Sequence, residues 1–211
     1  MDQQLKTGTT TIGIVCKDGL VLAADKRATS GYLIAWKKFE KIMQITDSIA
    51  ATVAGGVSDV QLLVKYMRAE LKLKDIRTGR ETSVKEAANL LANFVFNNIR
   101  RYSIIPGITH FILGGKDSEG FHLYDISPDG SIVEIDDYIS SGSGSVMAYG
   151  VLETLYKKGM TVDETVKLAA KGISAALQRD IASGNGIDIV TITKDGVKKV
   201  FTKEIEYKIE V

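Results

Sequence analysis

Cysteine is nearly absent: Cys16 is the one sulfhydryl among 211 residues. An internal disulfide is therefore excluded, and this usage fits a reducing, cytoplasmic setting. Histidine is almost as scarce, with His110 and His122 in the strand-like runs THFILGG and GFHLYDI. A serine or cysteine triad needs a histidine base, and these few donors at unrelated spacings make no zinc site. Both histidines read as structural, and Cys16, closing an apolar strand, reads as a buried inert thiol. No apolar run approaches the roughly 20 residues that cross a bilayer. The first eight residues, MDQQLKTG, lack the apolar core of a secretory signal, so neither signal nor anchor is expected. An excess of charge of one sign is also missing. Lysine and arginine number 27 against 26 acidic residues, a formal net charge of +1. No global field attracts nucleic acid or an anionic membrane, and Lys37-Lys38 and Arg100-Arg101 read as solvated faces. Nucleotide motifs fail too. GGKDS at Gly114–Ser118 lacks the earlier glycine and the Lys-Ser/Thr pair of a phosphate loop, and in SGSGS at Ser141–Ser145 Met147 occupies the third glycine position of a dinucleotide fingerprint.

What is present suits one domain. The chain is 45% hydrophobic and 25% charged, enough for a sizeable core under an ordinary polar surface. No repeat, low-complexity tract or linker divides it, and Pro106 and Pro128 fall in turn-like contexts. Strands are expected at Thr11–Cys16 and Leu20–Ala24 around an Asp18-Gly19 turn, then at Ile42–Ile45 and Ile49–Ala54. The period then changes. Val60, Leu63, Val64, Met67 and Leu71 recur at helical spacing, predicting a helix from near Ser58. A capping box, Ser83 to Glu86, opens a second helix that turns Ala87, Leu90, Leu91 and Phe94 inward. Strands return from His110 to about Asp136, with a turn at Pro128-Asp129-Gly130. Helices follow at Val146–Lys158 and, from the Thr161–Glu164 capping box, to about Arg179. The chain closes with strands Ile187–Thr193 and Val197–Phe201. Strands and helices segregated in this way predict an α+β fold, a four-layer αββα sandwich of two antiparallel sheets, each covered by a helical pair.

TGTTTIG, Thr7–Gly13, admits two readings. Three threonines can simply begin a strand, since a β-branched side chain suits a pleated surface. Alternatively, Gly8–Thr9 is a cleavage point, after which Thr9 carries a nucleophilic hydroxyl beside a free amine. Such chemistry dispenses with histidine, because the amine serves as base for its own hydroxyl. Its ordinary pKa of about 7.7–8.0 suits general-base work near neutrality. A nearby lysine disfavours protonation of the amine, and a buried lysine needs a carboxylate partner. The scheme thus requires an acid and a lysine on neighbouring strands. Asp25, in LAADKRATSG, and Lys41, in KKFEKIMQI, meet it.

In these residues the chain resembles the archaeal-type proteasome β subunits of the N-terminal nucleophile hydrolase superfamily. The resemblance spans nearly the whole length. It runs through the leader ending in Gly8, TTTIGIVCKDGLVLAADKRAT, TVAGGVSD at Thr52–Asp59, SSGSGSVMAYGVLE at Ser140–Glu153 and AALQRDIASGNGIDIVTIT at Ala175–Thr193. It is least informative from Arg101 to Asp137. It implies that residues 1–8 are a propeptide removed autocatalytically and that 9–211 form a single peptidase domain. Thr9 is then the nucleophile, Asp25 and Lys41 its ion pair, and Ser143, Asp180 and Ser183 a polar network around the threonine amine. Gly55 matches the residue whose backbone N–H forms the oxyanion hole, and Ala28, Thr29, Val53 and Val57 match the pocket for the side chain before the cut. That apolar pocket implies cleavage after hydrophobic residues. No cofactor or metal is implied. The implied partners are proteasome α subunits, other β subunits in heptameric rings, an ATPase regulator acting through the α ring, and unfolded polypeptide. The rival readings are a ring subunit that is never processed, a subunit of the bacterial two-component ATP-dependent peptidase, and a small-molecule amidase of the same superfamily.

Overall fold

The computed structural model describes residues 8–205; residues 1–7 of the expected propeptide lie outside them. The chain enters through β1 (Thr11–Val15) and β2 (Leu20–Asp25), joined at the Asp18-Gly19 turn, where Cys16 N–H donates to Gly19 O at 2.9 Å. That bond ends β1 one residue early, so Cys16 is the first residue beyond the strand. A short hairpin, β3 (Ala28–Ser30) and β4 (Leu33–Trp36), precedes β5 (Ile42–Gln44) and β6 (Ile49–Gly55). Helices α1 (Val57–Thr78) and α2 (Val84–Arg100) follow, then β7 (Thr109–Asp117), β8 (Gly120–Ile126), β9 (Ile132–Ile135) and β10 (Tyr138–Ser141). Finally come α3 (Ser145–Leu155), α4 (Val162–Arg179), β11 (Gly186–Thr193) and β12 (Gly196–Glu204).

Two five-stranded sheets result, in the orders β10-β1-β2-β11-β12 and β5-β6-β7-β8-β9. Every pairing in them is antiparallel. Three apolar clusters fill the layers. Leu20, Leu22, Ala50, Ile112, Leu123 and Ile192 meet between the sheets. Ile12, Ile14, Val21 and Ile189 pack outward on Ala148 and Leu152 of α3 and Leu168 and Ile173 of α4. On the far side Val53, Phe111, Leu113 and Tyr124 meet α1 through Val60, Leu63, Val64, Met67 and Leu71, and α2 through Ala87, Leu91 and Val95. The chain is the expected four-layer αββα sandwich. The inner strands β1 and β2 are covered on both faces, which is why TIGIV and LVLAAD read as continuous rather than alternating apolar runs.

Both capping boxes form. Ser83 Oγ accepts from Glu86 N and Thr161 Oγ1 from Glu164 N, with each glutamate returning a bond to the cap backbone. Three expectations need correction. The α3 helix stops at Leu155, because Tyr156 adopts an extended ψ of 139° and turns the chain toward Gly159. Hairpin β3–β4 was not expected, since its outward strand, LIAW, is exposed along its length and shows no alternation. Nor was β10, a four-residue strand on the edge of the first sheet, whose register is set by β1 through Thr11 opposite Ser141 and Ile14 opposite Tyr138.

Candidate active site

Thr9 lies just before β1, 6% exposed, at the head of a strand paired on both sides. The strands on either side deliver its neighbours. Antiparallel pairing sets Thr11 opposite Ala24, so Asp25 at the end of β2 lies beside Thr10, whose N–H donates to Asp25 Oδ1 at 2.9 Å. Asp25 is 1% exposed. Its second oxygen accepts from the N–H of Arg27 at 3.0 Å and of Gly184 at 2.9 Å. Lys41, immediately before β5, completes the set with Nζ at 2.7 Å from Oδ1. These bonds offset the cost of taking a carboxylate out of water. Burial pushes the Lys41 ammonium below the ordinary lysine range, and Asp25 opposes that shift.

The Thr9 hydroxyl donates to Gly8 O at 2.6 Å, and Lys41 Nζ donates to the same oxygen at 3.4 Å. A nucleophile-type oxygen and a polarising cation thus converge on one peptide group. On the other side, Thr9 N–H donates to Ser143 Oγ at 3.2 Å, and Ser143 Oγ donates to Asp180 Oδ2 at 2.6 Å. Ser183 Oγ donates to that same Oδ2, also at 2.6 Å. Ser143 lies in the turn after β10, Asp180 caps the C-terminus of α4, and Ser183 lies in the loop leading to β11. Ser143 Oγ thus links the backbone nitrogen of Thr9 to the Asp180 carboxylate, and Ser183 braces that carboxylate.

Beside Gly8 and Thr9 opens a small, shallow cleft. Ala28, Thr29, Val53, Val57 and Gly55 all line it, as the sequence implied, and so do Phe39, Ala54 and Val60. Gly55 has φ +110°, and a Cβ there would collide with Ile108 O, so both conformation and space require glycine. His110 and His122 lie elsewhere, bonded to Asp125 and Glu134 on neighbouring strands at 2.6 and 2.8 Å. Cys16 is buried, and burial pushes its thiol up to about 11.

All the site residues read from the sequence therefore meet around Gly8 and Thr9. Sequence reasoning missed Thr10, whose Oγ1 lies 2.7 Å from Ser183 Oγ, and Arg27, which ties down the 181–185 loop through Ile181 O at 2.8 Å and Asn185 Oδ1 at 2.8 Å. It also missed Phe39, though one aromatic amid the charges of KKFEK was a visible signal.

The αββα sandwich with a threonine at the head of its first core strand is the fold of the N-terminal nucleophile hydrolases. Compared with known families, residues 5–192 match the model described as "Proteasome subunit". The chain is similar to "Proteasome subunit beta" of Ferroglobus placidus, 46% identical over 203 residues covering 96% of this chain and 95% of that protein. It is likewise similar to "Proteasome subunit beta" of Archaeoglobus fulgidus, 43% identical over 206 residues, 98% of this chain and 95% of the other. The same name belongs to a relative in Methanocaldococcus fervens, 46% identical over 200 residues, 94% of this chain and 88% of the other. The chain belongs to the proteasome subunit family, as a β subunit: a member of a protease family that assembles with other proteasome subunits.

Proposed function

We propose that this β subunit is a threonine peptidase whose nucleophile is released by its own cleavage after Gly8. The observation that carries this reading is the pair of donors on Gly8 O, with Thr9 Oγ at 2.6 Å and Lys41 Nζ at 3.4 Å, backed by the buried Asp25. Freed as the first residue, the Thr9 amine replaces its peptide N–H beside Ser143 and Asp180, and it takes the proton of its own hydroxyl. Lys41 disfavours protonation of that amine. Thr9 Oγ then attacks the scissile carbonyl of a bound polypeptide. The oxyanion rests on Gly55 N–H, a contribution worth about 2.7–4 kcal/mol in related chemistry. The amine product leaves, and water releases the acyl group from its ester.

The cleft beside Thr9 has apolar walls in Ala28, Val53 and Val57, which favours cleavage after hydrophobic residues. The working particle is a pair of stacked heptameric β rings flanked by α subunits. An ATPase acting through the α ring unfolds and feeds substrate, and the setting is the cytoplasm. Confinement then supplies the selectivity, and no charged docking surface on this chain is needed. The test is the intact mass of the chain in its assembled particle, wild type against Thr9→Ala. The wild type is expected to lose residues 1–8 and hydrolyse peptides, and the variant to do neither. A particle that digests polypeptide with every copy still carrying residues 1–8, or an active Thr9→Ala particle, overturns the reading.

A further inference from the structure

Gly8 is held from every side. Its N–H donates to Thr29 Oγ1 at 2.9 Å in a buried bond, and its carbonyl oxygen takes the Thr9 and Lys41 donors. A Cβ added to it would collide with Ala182. We propose that the Thr29 hydroxyl is a positioning group for the self-cleavage, holding the peptide N–H ahead of Gly8 so that the Gly8 carbonyl stays presented to Thr9 Oγ. The inference rests on Thr9 as nucleophile and adds a requirement specific to the precursor.

Two independent features of β3 support it. A regular strand alternates its side chains between faces, but Ala28 and Thr29 are consecutive and both buried, 6% and 9% exposed. The pairing of β3 with β4 is irregular at that step: Ala28 lies opposite Trp36 and Thr29 opposite Ile34. An irregularity of this kind re-aims a side chain, and here both residues come to line the cleft beside Thr9. The second feature is chemical. A buried backbone N–H needs an acceptor, and Thr29 Oγ1 provides it for Gly8.

The consequence for reactivity follows from glycine's freedom. Gly8 has the widest conformational range of any residue. Bonds to its nitrogen and to its carbonyl oxygen together restrain the torsions on both sides of its Cα, keeping the Gly8 carbonyl group beside Thr9 Oγ. In the cleavage, Thr9 Oγ forms a bond to the Gly8 carbonyl carbon and the Gly8–Thr9 C–N bond breaks. The hydroxyl proton passes to the departing nitrogen, which becomes the Thr9 amine. Water then hydrolyses the resulting ester, giving the Gly8 carboxylate and restoring the hydroxyl. Once Gly8 has gone, the Thr29 bond to it no longer exists, so the hydroxyl's contribution described here belongs to processing.

The experiment follows release of residues 1–8 by intact mass over time in the assembled particle, for wild type, Thr29→Val and Thr29→Ser. Valine keeps the shape and removes the acceptor; serine keeps the acceptor and removes the methyl. Release is expected to slow about tenfold or more in Thr29→Val and to stay within about twofold of wild type in Thr29→Ser. Equal rates for wild type and Thr29→Val overturn the inference and leave Thr9 as nucleophile intact. Slowing by both variants alike also overturns it, assigning the effect to packing. A wild-type chain that never loses residues 1–8 overturns both. Should Thr29→Val fail to assemble, Thr29→Ala against Thr29→Ser carries the same comparison.

Discussion

At the scale of single residues, Asp25 is the side chain with most depending on it. Thr10, Arg27 and Gly184 direct backbone N–H groups at its two oxygens, and Lys41 adds its ammonium. Asp25→Ala strands all of these in the interior. The expected loss is about 3–5 kcal/mol in denaturant unfolding, together with loss of cleavage after Gly8. Lys41 is 2% exposed in a slot shaped to a single ammonium. Lys41→Arg keeps the charge but presents a planar fork, so both propeptide release and peptide hydrolysis are expected to be abolished, as in Lys41→Ala. Cys16 gives a prediction away from the site. Burial raises its thiol from 9.0 to about 11, so the folded state holds its proton more tightly than the unfolded chain does. The associated stability is fully present below pH 9.0, falls as the unfolded thiol ionises and is lost by about pH 11. Alkylation of the native protein near neutral pH should run at least about a hundredfold slower than that of the unfolded chain, since thiolate is the reacting form. Mass spectrometry of iodoacetamide-treated samples with and without denaturant measures the ratio.

At the scale of elements, the site depends on where strands and helices end. Asp25 closes β2, Gly55 closes β6, Lys41 precedes β5 and Asp180 caps α4. An acid at a helix C-terminus opposes the helix dipole. Here that local cost accompanies acceptance of bonds from Ser143 and Ser183. Gly55→Ala is expected to lower stability by about 1–3 kcal/mol through its positive φ. The collision with Ile108 O would also displace the strand end and depress peptide turnover. A matched control lies at the far end of the sandwich layer. Ser83→Ala removes a capping-box acceptor and should cost about 1 kcal/mol in a thermal or chemical melt, with hydrolysis per assembled particle unchanged.

At the scale of the whole molecule, large apolar side chains stand in solvent where the chain is considered alone. Tyr32 and Leu33 in hairpin β3–β4 are 96% and 75% exposed, and Tyr102 and Ile104 after α2 are 99% and 97% exposed. Exposed apolar surface marks association sites, which agrees with a subunit that assembles with others of its family. Leu33→Ser and Ile104→Ser should leave the isolated subunit's stability within about 0.5 kcal/mol and shift the particle toward smaller species in native mass spectrometry. Among the described residues, no helix is long and apolar enough to cross a membrane.

The sandwich was legible in the chain because α1 carries an apolar stripe, α2 and α4 open with capping boxes, and the inner strands β1 and β2 are apolar on both faces. Those are local patterns, read over a few residues. Thr9, Asp25 and Lys41 were legible as residue types that chemistry without histidine would call for, and the structure brings the three together around Gly8 O. Hairpin β3–β4 and strand β10 escaped because pairing, not composition, makes them strands. What only the tertiary structure decided is which groups touch Gly8. Thr29, Ala182 and Lys41 lie 21, 174 and 33 residues away in sequence and reach it through a strand irregularity, a loop tied down by Arg27 and the meeting of two sheets. Convergence over such separations leaves no trace in local periodicity. It follows from register and layer packing, which exist only once the sheets have closed on each other.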